Sequence, residues 1–386
     1  MGVKSSVSLP GLYTLIIRRT GHGPQGKKLL GKTAIKDIGE FGLIQRIRRK
    51  YTRSSDFALC GIGDDAASLR SPPQGHSTLV TTDILVENVH FIRSSTTAYL
   101  LGTKSLAINL SDIAAMGGIP RFFLLSLGIP PGISLSFVDH FYQGVADLAE
   151  KHDVLLVGGD LAASPTVVIN GVLIGHCSPD QVIYRKGAHP GDTIFVTGPL
   201  GDSALGLEII RQRGLRPRDF GVRGQIRGRD GELLGLIRRH LAPPPPVRPG
   251  RIIAKLGYAT AMIDISDGLL ADLGHILEES HVGATIWVDQ IPRSQAFQKW
   301  APLYHPRPLD LVLGGGEDYE LLFTAPRKAL NRVVSEKKDR EFPFYPIGEV
   351  TPHAKKLSLM TDHNGPYSPS CHGHDHFRDR TGGPYE

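Results

Sequence analysis

Two rhythms of apolar and polar positions run along this chain. Phe41, Ile44 and Ile47 recur at helical spacing and predict a helix, after which residues 57–62 read as a short strand ending at Gly63. Residues 78–82 are β-branched and apolar, which predicts a strand that delivers Asp83 at its end. Residues 99–116 are apolar at Leu106, Ile108, Leu110, Ile113 and Ala114 and stop at Gly117-Gly118. Their length and the double-glycine stop favour a helix, on which Asn109 and Asp112, three apart, share a face. A second helix is expected over 138–149, a strand over 154–157 leading to Asp160, and a β-rich run over 167–175.

Pro179, Gly187, Pro190 and Gly191 cluster with charges, so a boundary is expected within 178–191. Beyond it, 193–197 reads as strand and 203–211 as helix, while Pro243 to Pro246 demand an extended segment over 242–247. A strand over 261–265 then meets Ser266-Asp267-Gly268, after which Leu269, Leu270, Leu273, Ile276 and Leu277 repeat at helical spacing. Such a helix start offers backbone N–H groups to a phosphate, with acid and hydroxyl ligands for its metal. Strands alternating with helices in both halves predict an α/β (α+β) chain. Its expected parts are a flexible basic extension over 1–36, one domain over 37–180 and another over 181–386.

The 386 residues, 40% hydrophobic and 21% charged, suit a globular protein large enough for two cores. No uncharged apolar run reaches the roughly 18 residues of a membrane helix, so no membrane partner is expected. The net charge of +6 suggests nucleic acid until it is located. Lys4, Arg18, Arg19, Lys27, Lys28, Lys32 and Lys36 face no acid in the first 36 residues, so the body of the chain nets about −1 and no nucleic-acid partner is expected. Gly26 to Thr33 matches a phosphate-loop pattern, but Gly21 to Gln25 stand where a buried strand must feed it, and it is read as a chance match. Cys60, Cys177 and Cys371 are odd in number and widely separated, which fits a reducing cytoplasm better than a disulfide framework.

Six stretches carry an apolar or small-residue run into a carboxylate with no lysine or arginine inside: Cys60 to Asp65, Val80 to Asp83, Asn109 to Asp112, Val157 to Asp160, Ile263 to Gly268 and Gly314 to Asp318. One acid after glycine is ordinarily a turn or a cap. Six such acids at the ends of buried elements, beside Thr81, Thr82, Ser111 and Ser266, would gather at the rim of a core, where like charges resist ionising. A hard divalent cation fits that setting, because Mg²⁺ takes carboxylate and hydroxyl oxygens and shares its shell with substrate phosphates.

The pieces Gly61-Ile62-Gly63-Asp64-Asp65-Ala66, Thr82-Asp83 with His90-Phe91, Asn109 to Gly117 and Gly315 to Leu321 resemble the thiamine-monophosphate kinase family, over about residues 39–377. That family lies in the wider superfamily of AIR synthase, selenophosphate synthetase and a hydrogenase-maturation enzyme. The resemblance implies a two-domain PurM-like fold whose N-terminal domain dimerises through its strands. It implies ATP as co-substrate and direct in-line phosphorylation of thiamine monophosphate to the diphosphate with several Mg²⁺ ions. Carried over by position, it implies Asp65, Thr81, Thr82, Asp83, Asp112, Asp160, Asp264 and Asp267 as Mg²⁺ ligands, with Asp112, Asp160 and Asp267 catalytic. Tyr142, Gly159, Asp160, Arg185 and Ser266 align with nucleotide contacts, and His90 and Glu317 with contacts to thiamine monophosphate. Two residues depart from the pattern: Leu161 stands where a threonine is common and Cys371 where an aromatic stacks on the substrate. The other readings of the residues are a sister ATP-using enzyme of the superfamily and a non-catalytic nucleotide- or metal-binding descendant.

Overall fold

The computed structural model describes residues 35–370 except 54, 64, 222–230, 330–342, 355 and 362–364. The basic extension before residue 35, Asp64 and the segment holding Cys371 lie outside the described residues.

The first half builds α1 (Gly39–Tyr51), β1 (Ala58–Cys60), β2 (Ser68–Leu69), β3 (Ser77–Val86), α2 (Ala98–Ala115), β4 (Ile119–Ile129), α3 (Leu135–Lys151), β5 (Leu155–Ala163) and β6 (Val168–Cys177). Four strands form one sheet in the order β3-β6-β4-β5, antiparallel except for the parallel β4–β5 pair. Alternation along β3, β4 and β6 turns Leu79, Leu85, Phe123, Leu125, Ile169 and Leu173 toward the core built with α2 and α3. The opposite face lacks that cover at β3, where Val80 is 65% and Ile84 50% exposed. Helices α2 and α3 touch backbone to backbone: a Cβ on Gly102 would lie 2.0 Å from the Phe141 carbonyl oxygen, and one on Gly144 would lie 2.0 Å from that of Tyr99. Thr97 and Ser134 cap the two helices by accepting from the N–H groups of Leu100 and Phe137.

The second half adds β7 (Asp192–Val196), α4 (Asp202–Arg213), α5 (Gly231–Leu241), α6 (Val247–Leu256), β8 (Ala261–Asp264), α7 (Leu269–Ser280), β9 (Gly283–Trp287), β10 (Leu321–Pro326), β11 (Tyr345–Thr351) and β12 (Leu357–Met360). Its six-stranded sheet runs β12-β9-β11-β7-β10-β8, with only β12–β9 parallel. A second core packs this sheet against α4, α5 and α7 through Ile194, Leu205, Leu236, Ile263 and Leu273. Helix α2 joins the halves, packing on β3, β4 and β6 of one sheet and on β8 and α6 of the other. That double contact is why even Asn109 and Ser111 are fully buried on it.

Three expectations need correction. The predicted face of α1 is rotated, since Leu43 and Ile47 point inward and Phe41 is 80% exposed. Strands β3 and β5 continue to Val86 and Ala163, so Asp83 and Asp160 lie within strands rather than at their ends. Residues 242–246 are non-helical as expected, but Val247 opens α6, with Pro249 in the first turn where its missing N–H costs nothing. Among the described residues no helix is long and apolar enough to cross a membrane.

Candidate active site

Three elements converge where the halves meet. Strand β3 brings Thr81 and Asp83, α2 brings Ser111 and Asp112, and β8 with the loop after it brings Asp264, Ser266 and Asp267. The Thr81 hydroxyl donates to Asp112 Oδ2, and the Ser111 hydroxyl donates to Asp264 Oδ2 at 2.6 Å. Asp83 and Asp112 lie close enough for each carboxyl to shift the other. Burial is the main force pushing the Asp83, Asp112 and Asp264 carboxyls above the ordinary range. Like charge adds to it: Asp264 and Asp267 act on Asp83, Asp83 on Asp112, and Asp112 on Asp264. The hydroxyl bonds and the exposed Arg185 oppose the rise without cancelling it.

Two cavities open onto this cluster. One, of about 520 Å³, is lined by Thr82, Asp83, His90, Ser266, Asp267 and Glu317. The other, of about 490 Å³, is lined by Thr81, Asp112, Arg185 and Asp264. His90 Nδ1 accepts from the Val86 N–H at 3.0 Å, which leaves Nε2 as the proton-bearing nitrogen of a neutral ring. The donors around the cluster are all hard oxygens, which fits Mg²⁺. Among the described residues no three acidic, histidine or cysteine side chains are gathered closely enough to enclose an ion. That spacing suits an ion held by one or two carboxylates and completed by phosphate and water.

The remaining candidates lie elsewhere. Asp65, Tyr142, Gly159 and Asp160 line a separate cavity of about 540 Å³ between α1 and β5. Asp83, Gly171, Leu125 and Gly159 stand in register across the four strands, so this cavity lies three strand spacings away, roughly 14 Å. Asp160, one residue further along β5, projects from the sheet face opposite to Asp83. The structure therefore gathers Thr81, Thr82, Asp83, His90, Asp112, Arg185, Asp264, Ser266, Asp267 and Glu317 on one side, and Asp65, Tyr142, Gly159 and Asp160 on the other.

Matches to known proteins follow the two halves. The AIR synthase related protein N-terminal domain family matches residues 63–177, and its C-terminal domain counterpart matches 189–358. The thiamine-monophosphate kinase of Escherichia coli (strain K12) is 36% identical over 342 residues, covering 88% of this chain and 98% of that protein. The chain belongs to the thiamine-monophosphate kinase family. A crystal structure of thiamine-monophosphate kinase from Stenotrophomonas maltophilia K279a superposes with a TM-score of 0.72 at 35% identity, covering 84% of this chain and 97% of that one. AaThiL complexed with AMPPCP and TMP superposes at 0.66 with 33% identity, covering 88% and 98%. Like these thiamine-monophosphate kinases, the chain has the two-domain PurM-like fold.

The sixth acidic stretch differs from the others, because its acids are met by backbone N–H groups, a lysine and a histidine rather than by hydroxyls and one another. Asp318 Oδ2 and Oδ1 accept from the N–H groups of Gly201 and Ser203 at the start of α4, and just beyond the stretch Glu320 pairs with Arg239. Glu317 is held by Lys104 and His240. The loop at 266–268 also departs from expectation. Its three N–H groups are not presented to a ligand, because Asp272 Oδ2 accepts from Ser266, Asp267 and Gly268 at 3.0, 3.1 and 3.0 Å. Asp272 is buried, and burial, then Asp264 and Asp267, push its carboxyl up to about 8. Sequence reasoning missed it, although an acid four residues after a glycine turn is a usable signal for a side chain folding back on the loop. Asp272→Ala strands these donors and is expected to lower unfolding stability by about 1–3 kcal/mol. Asp272→Asn keeps an acceptor oxygen and should lose less; equal urea midpoints for the two variants would refute this role.

Proposed function

We propose that this chain transfers the γ-phosphoryl group of ATP to the phosphate of thiamine monophosphate, giving thiamine diphosphate and ADP. The observation that carries the reading is the set of carboxylates that three separate elements bring together, raised by burial and then by one another, at the mouth of the cleft that holds His90 and Glu317. Its support from relatives is the bound pair in the AaThiL complex, AMPPCP and TMP, at 33% identity.

Asp83, Asp112, Asp264 and Asp267, with the hydroxyl of Thr81, would hold Mg²⁺ together with the triphosphate, whereas the Thr82 hydroxyl donates to the Gly171 carbonyl and projects from the sheet face opposite to Asp83. When bound, the ions neutralise the phosphate oxygens and hold donor and acceptor in line. A phosphate monoester, with a second pKa near 6, is already largely anionic at neutral pH, so an acceptor oxygen attacks the γ-phosphorus without a general base. As that P–O bond forms, the bond to the β-bridging oxygen breaks and ADP leaves, with no phosphoenzyme. The obstacle is repulsion, since two unit charges 4 Å apart cost about 4 kcal/mol at an effective dielectric of 20. Arg185 adds a cation on the outer side of the cluster, and Ser266 and Asp267 are fixed by the Asp272 clamp. His90 Nε2–H and the Glu317 carboxylate would orient the acceptor, whose thiazolium cation suits a cleft with an acidic wall.

The nucleotide contacts at Tyr142, Gly159 and Asp160, with Asp65, belong to this reading through a homodimer. Two copies packed by the open sheet face would cover Val80 and Ile84 and bring the cavity between α1 and β5 of one copy toward β3 of the other. Sedimentation should give twice the 41.9 kDa chain mass, and Val80→Asp should halve it; a monomeric parent removes the dimer. The reaction is tested with purified protein, ATP, Mg²⁺ and thiamine monophosphate, following thiamine diphosphate and ADP. No product at saturating substrate rejects the assignment.

A further inference from the structure

Glu317 is built into the cleft wall in an unusual way. Its backbone sits in the left-handed region at φ 66, and its N–H donates to the Ser266 carbonyl at 2.8 Å. Gly316 before it presses on the same loop, since a Cβ there would lie 2.4 Å from the Ser266 carbonyl oxygen. A glutamate placed at positive φ costs energy, so the surroundings must hold it there. Two side chains do. Lys104 Nζ, on α2, lies 2.7 Å from Oε1, and His240 Nδ1, on α5, lies 3.1 Å from Oε2. Lys104 and His240 are each only 3% exposed, while the Glu317 side chain keeps 26% of its surface open to the cleft.

The proton positions follow from chemistry. A carboxylate only accepts, so His240 Nδ1 carries the hydrogen, with Ser203 Oγ at 3.2 Å as a further neighbour. Burial and then the Lys104 charge push His240 down to about 3, so it is a neutral N–H donor. Burial alone would raise Glu317, but Lys104 pulls it below the ordinary carboxylate range. Each carboxylate oxygen thus spends one lone pair on a fixed donor and keeps another for the cleft. Lys104 also stands two helical turns before Asp112 on α2, so one rigid element sets both Glu317 and the acid cluster.

We infer that Lys104 and His240 are positioning residues for the phosphate-acceptor substrate: they fix the Glu317 carboxylate as the acceptor for the N–H groups and cationic ring of that substrate, Lys104 from behind the cleft wall and His240 from within it. The inference rests on Glu317 facing thiamine monophosphate, as proposed above. It is tested by calorimetric titration of the full chain with thiamine monophosphate in the absence of ATP, and separately with a non-hydrolysable ATP analogue and Mg²⁺. Lys104→Met is expected to weaken thiamine monophosphate binding by about tenfold to a hundredfold, the range for a hydrogen bond to a charged group, and to leave the analogue within about twofold. In turnover the loss falls on KM more than on kcat. Lys104→Met with Glu317→Gln strands no charge and should bind no worse than Glu317→Gln alone. Losses that add, unchanged binding in a folded Lys104→Met, or an equal loss for the ATP analogue overturn the inference. If Lys104→Met does not fold, His240 decides: His240→Gln keeps an N–H donor and retains binding, His240→Leu loses it, and equal behaviour of the two defeats the proposal. A parent protein that neither binds nor phosphorylates thiamine monophosphate defeats the functional reading itself, whatever the variants do.

Discussion

Asp112→Asn is expected to lose more than about a hundredfold in kcat, beyond the loss usual for a residue that merely supports a metal ligand, while the protein melts no lower than its parent. Asn is isosteric. Its oxygen still accepts from the Thr81 hydroxyl, so that hydrogen bond survives, and its amide adds a donor beside the neighbouring Asp83. What disappears is one negative charge from a cluster in which burial and neighbouring acids already oppose ionisation. With a chelator present, that removal should raise the melting temperature. A coupled ADP assay beside thermal melts reads both quantities. Full activity would remove Asp112 from the phosphate-binding machinery, and a lower melting temperature in chelator would show that the cluster is structural.

Much of this site was legible in the sequence because its acids ride on elements with strong local signals. The helix predicted over 99–116 is α2, and the strands predicted near 78–82 and 261–265 are β3 and β8, so the apolar pattern alone suffices to place Asp83, Asp112 and Asp264 at one rim. The partners of those elements were not legible. Lys104 and His240 look like ordinary helix residues, and only tertiary packing carries them to Glu317 across large sequence separations. Asp272 was hidden for a subtler reason. The rule that helix starts offer N–H groups is sound, but it cannot tell whether a side chain of the same helix has already taken them. Leu43 replaced Phe41 on the inner face of α1 because helical spacing fixes a period and not which stripe meets the core. The division of the acids between two separate sides of the sheet follows from the pleat and the strand order, neither of which a list of motifs contains.

The same electrostatics predict how the metal-free protein responds to pH. Burial raises Asp83 to about 6, Asp112, Asp264 and Asp318 to about 7, and Asp272 to about 8, against an ordinary value of 3.8. A carboxyl whose folded pKa exceeds its unfolded one binds more protons when folded, so its contribution to stability falls as pH rises through that interval. His240 and His152 act with the opposite sign, because burial pushes them down to about 3 and about 4, and they favour the folded state as pH rises toward 6.5. Between about pH 6.5 and 8.5 the histidines have at most half of their effect left, and the acids raised to about 7 and 8 outweigh them. In chelator, the melting temperature should therefore drop across that window. Mg²⁺ with a non-hydrolysable ATP analogue should raise it most at the upper end, where the carboxylates are fully charged, by about 2.7 kcal/mol of stability at a hundred times its Kd. Asp272 and Asp318 face no bound ion in this scheme, so a shallower slope should remain with Mg²⁺ present. In Asp112→Asn the chelator slope should itself flatten. A slope that rises with pH in chelator, or one that Mg²⁺ leaves untouched, would mean that the cluster meets its charge by some means other than a cation.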